Sequence, residues 1–313
     1  GCGSGGNSAT SGNQGGASSG TGDLTVNDSF GNADTAEYKW KIAIDNNVGT
    51  NQYDAAVKFC EKLAELSDGN IYTEIYAGQQ LGAGTEVLEG LGFGMQQVCI
   101  QAVCALAPFC EYANIDATPY IFSGYEHSLK VWSGELGEEM KEYIGEQGNF
   151  KIMGHMYRGA RIVTATKKME TLDDFKGFKL RAPNLEMYLK TWQWAGANPT
   201  PIPMNEVYTA LQQKTVDGQE NPVVDSVNYA FDEVCNYWIK TNHVYGCNVV
   251  IMDKKYFESL PADIQKATLE AAEFAGRAIS EQQADKDAVA WQELEDEGKT
   301  IIEVDNAAFA EHF

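Results

Sequence analysis

At 313 residues, with 43% hydrophobic and 22% charged side chains, the chain has the make-up of an ordinary globular protein long enough for two domains. Its formal net charge of -22, from 23 Lys and Arg against 45 Asp and Glu, leaves no basic stripe to follow a phosphate backbone and argues against nucleic acid as a partner. The longest apolar runs, such as 98–109, fall short of the ~20 residues that a membrane-spanning helix requires.

Residues 1–37 are Gly, Ser, Thr, Asn and Asp with few apolar side chains and no Lys or Arg, the composition of a disordered Gly/Ser-rich tether. Cys2 stands in front of that spacer, which suggests a lipid-modified residue left after removal of a signal peptide. The expectation is a lipoprotein held on the outer face of the cell membrane, of the Gram-positive type. Trp40, Ile42 and Ile44 alternate along 38–44 and predict a strand. The period then changes: Tyr53, Ala56, Val57, Cys60, Leu63 and Ala64 recur at helical spacing, with Thr50 or Asn51 as the cap. Strands follow at 71–76, 97–103, 150–156, 161–166, 178–182 and 246–252, and helices near 85–91, 126–147, 184–195 and 205–214. After Pro261 a helical pattern runs to Trp291, a rod of roughly 45 Å that suits a crossing between domains better than the inside of one. The alternation of elements predicts an α/β chain.

Six cysteines other than Cys2 (Cys60, Cys99, Cys104, Cys110, Cys235, Cys247) form no CxxC pair, and the four histidines are dispersed, so no metal site is expected. Cys60 on a helix and Cys99 on an apolar strand read as buried thiols, with at most one or two disulfides in all. There is no GxSxG elbow between a strand and a helix, no HExxH pair and no phosphate-cradling loop, and 90–94 lacks the GxGxxG spacing; neither a catalytic residue nor a cofactor is expected.

Arginine is used selectively. The chain has four, against nineteen lysines, and Arg158, Arg161 and Arg181 fall in one stretch. A guanidinium holds a carboxylate with two parallel hydrogen bonds, which an ammonium cannot do, so a small organic anion is expected near 158–181. The chain's overall negative field is screened beyond roughly 8 Å and leaves such a local site free to act.

Between 172 and 222 a series of segments occurs in order: Leu172-Asp173-Asp174-Phe175-Lys176-Gly177, Phe178-Lys179-Leu180-Arg181-Ala182-Pro183, Gly196-Ala197-Asn198-Pro199-Thr200-Pro201, Glu206-Val207-Tyr208-Thr209-Ala210-Leu211-Gln212-Gln213 and Val216-Asp217-Gly218-Gln219-Glu220-Asn221-Pro222. With Thr241-Asn242-His243 and the Lys255-Tyr256-Phe257 to Leu260-Pro261 stretch, they make residues 38–304 resemble the substrate-binding proteins of TRAP transporters, the DctP family. The resemblance implies a two-domain periplasmic-binding-protein-like clamp with a long domain-spanning helix. We place the first domain at 38–158 plus 247–285 and the second at 159–246 plus 286–313. It also implies an extracytoplasmic protein that is not an enzyme and that delivers an organic acid to a membrane permease of two integral components, driven by an ion gradient.

On that resemblance Arg181 matches the arginine that holds the ligand carboxylate, Arg161 a second arginine, and Asn221 a ligand-bonding amide. Met204 stands where the family commonly has an aromatic residue, and Gln101 lies in the region that meets the far end of the ligand. Asp45, just after the first strand, is placed to accept from ligand hydroxyls. Arg158 and Arg277 read as surface ion pairs. Trp192 and Trp194 are candidates to stack on a sugar or to pack between helix and sheet. The first 150 residues contain no arginine, so the site is expected to be one-sided. That favours a ligand with one carboxylate and a hydroxyl-rich far end, a hexuronate such as glucuronate. The alternatives are a C4-dicarboxylate or other carboxylic acid, or a ligand-sensing domain of a receptor.

Overall fold

The computed structural model describes residues 27–313, so Cys2 and most of the tether lie outside the described residues. The strands are β1 (Ser29–Phe30), β2 (Tyr38–Ala43), β3 (Ile71–Tyr76), β4 (Val98–Ala102), β5 (Phe150–Ala165), β6 (Lys179–Ala182), β7 (Asn198–Pro201), β8 (Gly218–Pro222), β9 (Tyr237–Asp253) and β10 (Thr300–Glu303). The helices are α1 (Asn51–Leu66), α2 (Thr85–Gly92), α3 (Tyr125–Ser133), α4 (Glu135–Gly148), α5 (Glu186–Trp194), α6 (Val207–Gln212), α7 (Val223–Asn228), α8 (Lys254–Ser259), α9 (Ala262–Asp296) and α10 (Asn306–His312).

The strands form one sheet in the order β1-β3-β2-β4-β9-β5-β8-β6-β7, with β10 beside β9. β2, β3 and β4 run parallel at one end, β8, β6 and β7 at the other, and the antiparallel β5 and β9 join them. The two strands predicted at 150–156 and 161–166 are one 16-residue strand, and the strand predicted at 246–252 is the end of a 17-residue one. Both pass from one half of the molecule to the other.

β5 makes that passage with breaks in register. Met153 pairs with Val250 but Met156 with Asn248, and Tyr157 pairs with Cys247 but Ala160 with Tyr245. Each break inserts one extra residue into β5, a bulge that bends the strand and re-aims its side chains. The bulges fall at Gly154 and Gly159, with φ of +68° and +91°, where a side chain would be strained. A Cβ at Gly154 would also lie 2.7 Å from the Ala272 carbonyl oxygen, so glycine there lets α9 close on the sheet.

The 35-residue α9 has buried positions from Ile264 to Leu294. Ile264, Ala271, Ala275 and Ile279 pack with Trp40, Ile42, Phe59 and Leu63 in the first half. Ala290 and Leu294 pack with Val207, Phe231 and Trp238 in the second. Burying a large aliphatic or aromatic side chain contributes about 1.5–3 kcal/mol, so one helix ties both cores together. This is the α/β binding-protein fold with its long spanning helix.

Several local expectations change. The tether was expected to reach residue 37, but Ser29 and Phe30 add a strand to the sheet edge, and Ile75 donates its N–H to the Asp28 carbonyl at 2.9 Å. Those contacts are made by main chain, which composition does not reveal. The helix predicted over 126–147 is two, broken at Gly134, whose backbone is extended. β7 holds two prolines and is found at the sheet edge, where the missing donors cost nothing. Cys60, Cys99, Cys104, Cys110, Cys235 and Cys247 are all buried free thiols.

Candidate functional site

A cavity of about 440 Å³ opens between the two halves. The end of β2 supplies Asp45, β4 supplies Gln101, β5 supplies Arg158 and Arg161, β6 supplies Arg181 and β8 supplies Asn221. Met204, in a short 3-10 turn before α6, and Tyr188 of α5 complete the wall. All six ligand-contact residues expected from the sequence therefore line one cavity.

Their states differ. Arg161 is 3% exposed and largely occupied. Its Nε and Nη2 donate to the two carboxylate oxygens of Glu220 at 2.6 Å each, and Nη2 also to the Glu220 carbonyl at 3.0 Å. The Tyr188 ring lies 4.7 Å from the guanidinium carbon. Burial alone would make Glu220 hard to ionise, but the Arg161 charge overcomes this and holds its carboxyl well below the usual range. Burial likewise works against the Arg161 charge, and Glu220 reverses it, so the guanidinium keeps its proton more firmly than usual. His243 Nε2 is 2.8 Å from Glu220 Oε2, and His243 Nδ1 is 2.7 Å from the Thr241 hydroxyl. Burial keeps His243 neutral, so Nε2–H donates to the carboxylate and Nδ1 accepts the hydroxyl proton. Only the donors of Arg161 that Glu220 leaves unused can turn to a ligand.

Arg181 is the opposite case. It is 4% exposed, donates Nε to the Ile202 carbonyl at 2.8 Å, and has no acid in ion-pair contact among the described residues. Burial pulls its pKa down to about 10, with Glu220 opposing and Arg161 adding to the effect. It remains a cation at neutral pH, lines the cavity, and its terminal nitrogens have no partner among the described residues. Asn221 donates Nδ2 to Gln219 Oε1 at 2.8 Å and to Met204 Sδ at 3.4 Å, and its oxygen accepts nothing from the described residues.

Across the cavity the groups are acceptors. Gln101 donates Nε2 to Asp45 Oδ1 at 3.3 Å, and its own Oε1 is buried without a partner. Burial raises Asp45 to about 7, against the lowering effects of the Gly84 N–H and the Arg158 charge.

Arg158 is a correction to the sequence reading, which made it a surface ion pair. It lines the cavity, is half-buried, and among the described residues has no ion pair and no hydrogen bond. On a regular strand, residues three apart point to opposite faces. The extra residue between Tyr157 and Ala160 shifts that alternation, and Arg158 reaches the same cavity as Arg161. The cavity thus holds three arginines rather than two, all on the β5 and β6 wall. Trp192 stacks on Phe175 at 5.3 Å and Trp194 is half exposed; neither lines the cavity.

Tyr188 and His243 were not picked out from the sequence as site residues. A tyrosine two residues into a helix and a histidine on an apolar strand carry no local signal of function. Among the described residues no cluster of His, Cys, Asp and Glu could hold a metal ion, and no helix is long and apolar enough to cross a membrane.

Comparison with known proteins places this geometry. Residues 42–313 match the family described as bacterial extracellular solute-binding protein, family 7, or DctP. A solute-binding protein of Roseobacter denitrificans is 33% identical over 259 residues, covering 82% of this chain and 78% of the relative. Its crystal structure, a TRAP periplasmic solute-binding protein with bound L-galactonate, superposes with a TM-score of 0.81 and covers 89% of this chain and 93% of that one. The C4-dicarboxylate-binding periplasmic protein of Rhodobacter capsulatus is 31% identical over 252 residues, 78% of this chain and 74% of the relative. A TRAP solute-binding protein of Pseudomonas putida with bound D-glucuronate is 25% identical with a TM-score of 0.83, covering 88% of this chain and 90% of that one.

Proposed function

Because the chain belongs to the bacterial extracellular solute-binding proteins of family 7, the DctP family of TRAP transporters, we propose that it captures a polyhydroxylated sugar acid, a hexuronate such as glucuronate. It is a solute-binding protein for organic acids and not an enzyme. The observation that carries the ligand reading is the contrast across the cavity: Arg181 is a buried guanidinium with no acid in contact among the described residues, and the opposite wall holds Asp45 and Gln101, whose Oε1 is buried without a partner. A charge-assisted bond to a carboxylate contributes about 1.5–3 kcal/mol net, so a ligand carboxylate belongs on Arg181. Hydroxyls, which donate as well as accept, belong opposite. The relatives from Roseobacter denitrificans and Pseudomonas putida, with L-galactonate and D-glucuronate, support this reading.

The ligand sits between two domains, 38–158 plus 247–285 and 159–246 plus 286–313, that close over it by bending β5, β9 and α9. Binding energy then stabilises the closed form rather than a transition state. The closed complex docks on the membrane permease of the transporter. Lipid on Cys2 would keep it on the outer face of the membrane, and mass spectrometry of the protein from native membranes would reveal the acyl chains.

Calorimetry against glucuronate, galactonate, succinate and neutral glucose tests the ligand. Hydroxylated acids are expected to bind most tightly. Binding restricted to neutral sugars would overturn the carboxylate assignment, and a preference for succinate would replace the sugar acid with a C4-dicarboxylate. That second reading is favoured by the Rhodobacter capsulatus relative and by the presence of Arg158 in the cavity.

A further inference from the structure

We propose that Arg158, together with Gln101 and Asp45 opposite, reads a pair of adjacent hydroxyls on the ligand and selects hydroxylated acids over plain ones; this rests on the ligand carboxylate being anchored at Arg181. Arg158 lies on the crossing strand, half-buried in the cavity wall, with no hydrogen bond or ion pair among the described residues. Its five N–H donors are therefore open.

The charge of Arg158 reaches the carboxylates of Asp45, Asp116 and Asp225. Asp116 is committed to the backbone N–H groups of Cys104 at 3.2 Å and Cys247 at 2.9 Å, and Asp225 to that of Asn51 at 3.4 Å. Burial raises all three acids and the Arg158 charge opposes that rise, so they feel its field without using the fork. What Arg158 lacks is acceptor oxygen.

Gln101 Oε1 has the complementary deficit. Gln101 is 1% exposed, and that oxygen has no donor. A hydroxyl accepts and donates at once, so two neighbouring hydroxyls can take bonds from Arg158 and return one to Gln101 or Asp45. A second carboxylate only accepts. It would leave Gln101 Oε1 orphaned and set another negative charge beside Asp45. A site that hydrogen-bonds a ligand hydroxyl rejects the analogue without it, because its own buried polar groups stay unpaired.

The test is calorimetry on the full chain with three probes: glucuronate (one carboxylate, hydroxylated), glucarate (two, hydroxylated) and adipate (two, no hydroxyls). Arg158→Gln is expected to weaken glucuronate and glucarate alike, on the order of tenfold or more, and to leave adipate unchanged. Loss of glucarate and adipate with glucuronate spared would make Arg158 a second carboxylate clamp and overturn the proposal. Unchanged glucuronate binding in Arg158→Gln, with Arg181→Lys still weakening it about a hundredfold, would sink this inference alone. If the wild-type chain bound none of the three, the carboxylate reading would fall and this one with it. Melting curves without ligand report folding. Should Arg158→Gln not fold, Arg158→Lys keeps the charge among the three aspartates, loses the fork, and is expected to show the same loss.

Discussion

The two walls of the cleft solve opposite problems. On the β5, β6 and β8 side, three charged groups are buried together, and Glu220 ties up most of Arg161 while Arg181 is left without an acid. On the β2 and β4 side no cation lines the cavity, and its polar groups include a carboxyl that burial makes reluctant to ionise and an amide oxygen without a donor. One wall is saturated except for the guanidiniums of Arg181 and the half-buried Arg158; the other is short of donors. A buried polar group is costly until it is paired, so these two deficits together define what the ligand must bring.

Four substitutions break or sharpen that contrast. The largest effect is expected from Glu220→Gln, which leaves Arg161 buried without countercharge and should cost about 3–5 kcal/mol of stability. Denaturant unfolding checks it, and an unchanged midpoint would mean that Arg161 is not held by this pair. Next is Arg181→Lys, which keeps the charge and loses the fork; affinity for every carboxylate ligand should fall about a hundredfold by calorimetry. Gln101→Leu removes the unpartnered oxygen on the other wall. Hydroxylated acids should lose about tenfold in affinity, while the unliganded protein melts no lower than the wild type.

The smallest effect is expected at Asp45, and it depends on pH. Its folded-state pKa of about 7 is raised from 3.8, so the folded chain holds that proton more tightly than the unfolded one. Ionisation therefore erodes stability as pH rises from about 4 to about 7, and the loss is complete above that range. Asp45→Asn should match the wild type at pH 4, gain a few degrees in melting temperature through that window, and stay ahead above pH 7. A gain that shrank as pH rose would contradict the assignment.

What the sequence made legible follows from period and motif. Trp40, Ile42 and Ile44 alternate because one face of β2 is buried, and α9 shows as a rod because its buried positions recur over its whole length. Arg181 and Asn221 stood out through linked segments. The rest depends on pairing between distant parts of the chain. Glu220 meets Arg161 across 59 residues because Val163 pairs with Glu220 in the β5–β8 ladder, and nothing local to either residue announces it. β8, Gly-Gln-Glu-Asn-Pro, is entirely buried yet has no apolar alternation, since its side chains serve the site and not the core. Arg158 falls between the strands predicted at 150–156 and 161–166, and the bulge at Gly159 that carries it into the cavity has no signal in the sequence.

The six buried thiols bear on how the molecule fails. While the chain is folded, burial pushes Cys60 and Cys104 up to about 12, so they are almost never thiolate and do not react. Among the described residues unfolding exposes six thiols at once with no disulfide to restore, and any bond that oxygen then makes between them is a wrong one. Heating in air should therefore be a one-way process and heating under a reductant a reversible one: the lifetime of this protein outside the cell is set by how rarely it opens, not by how well it could refold.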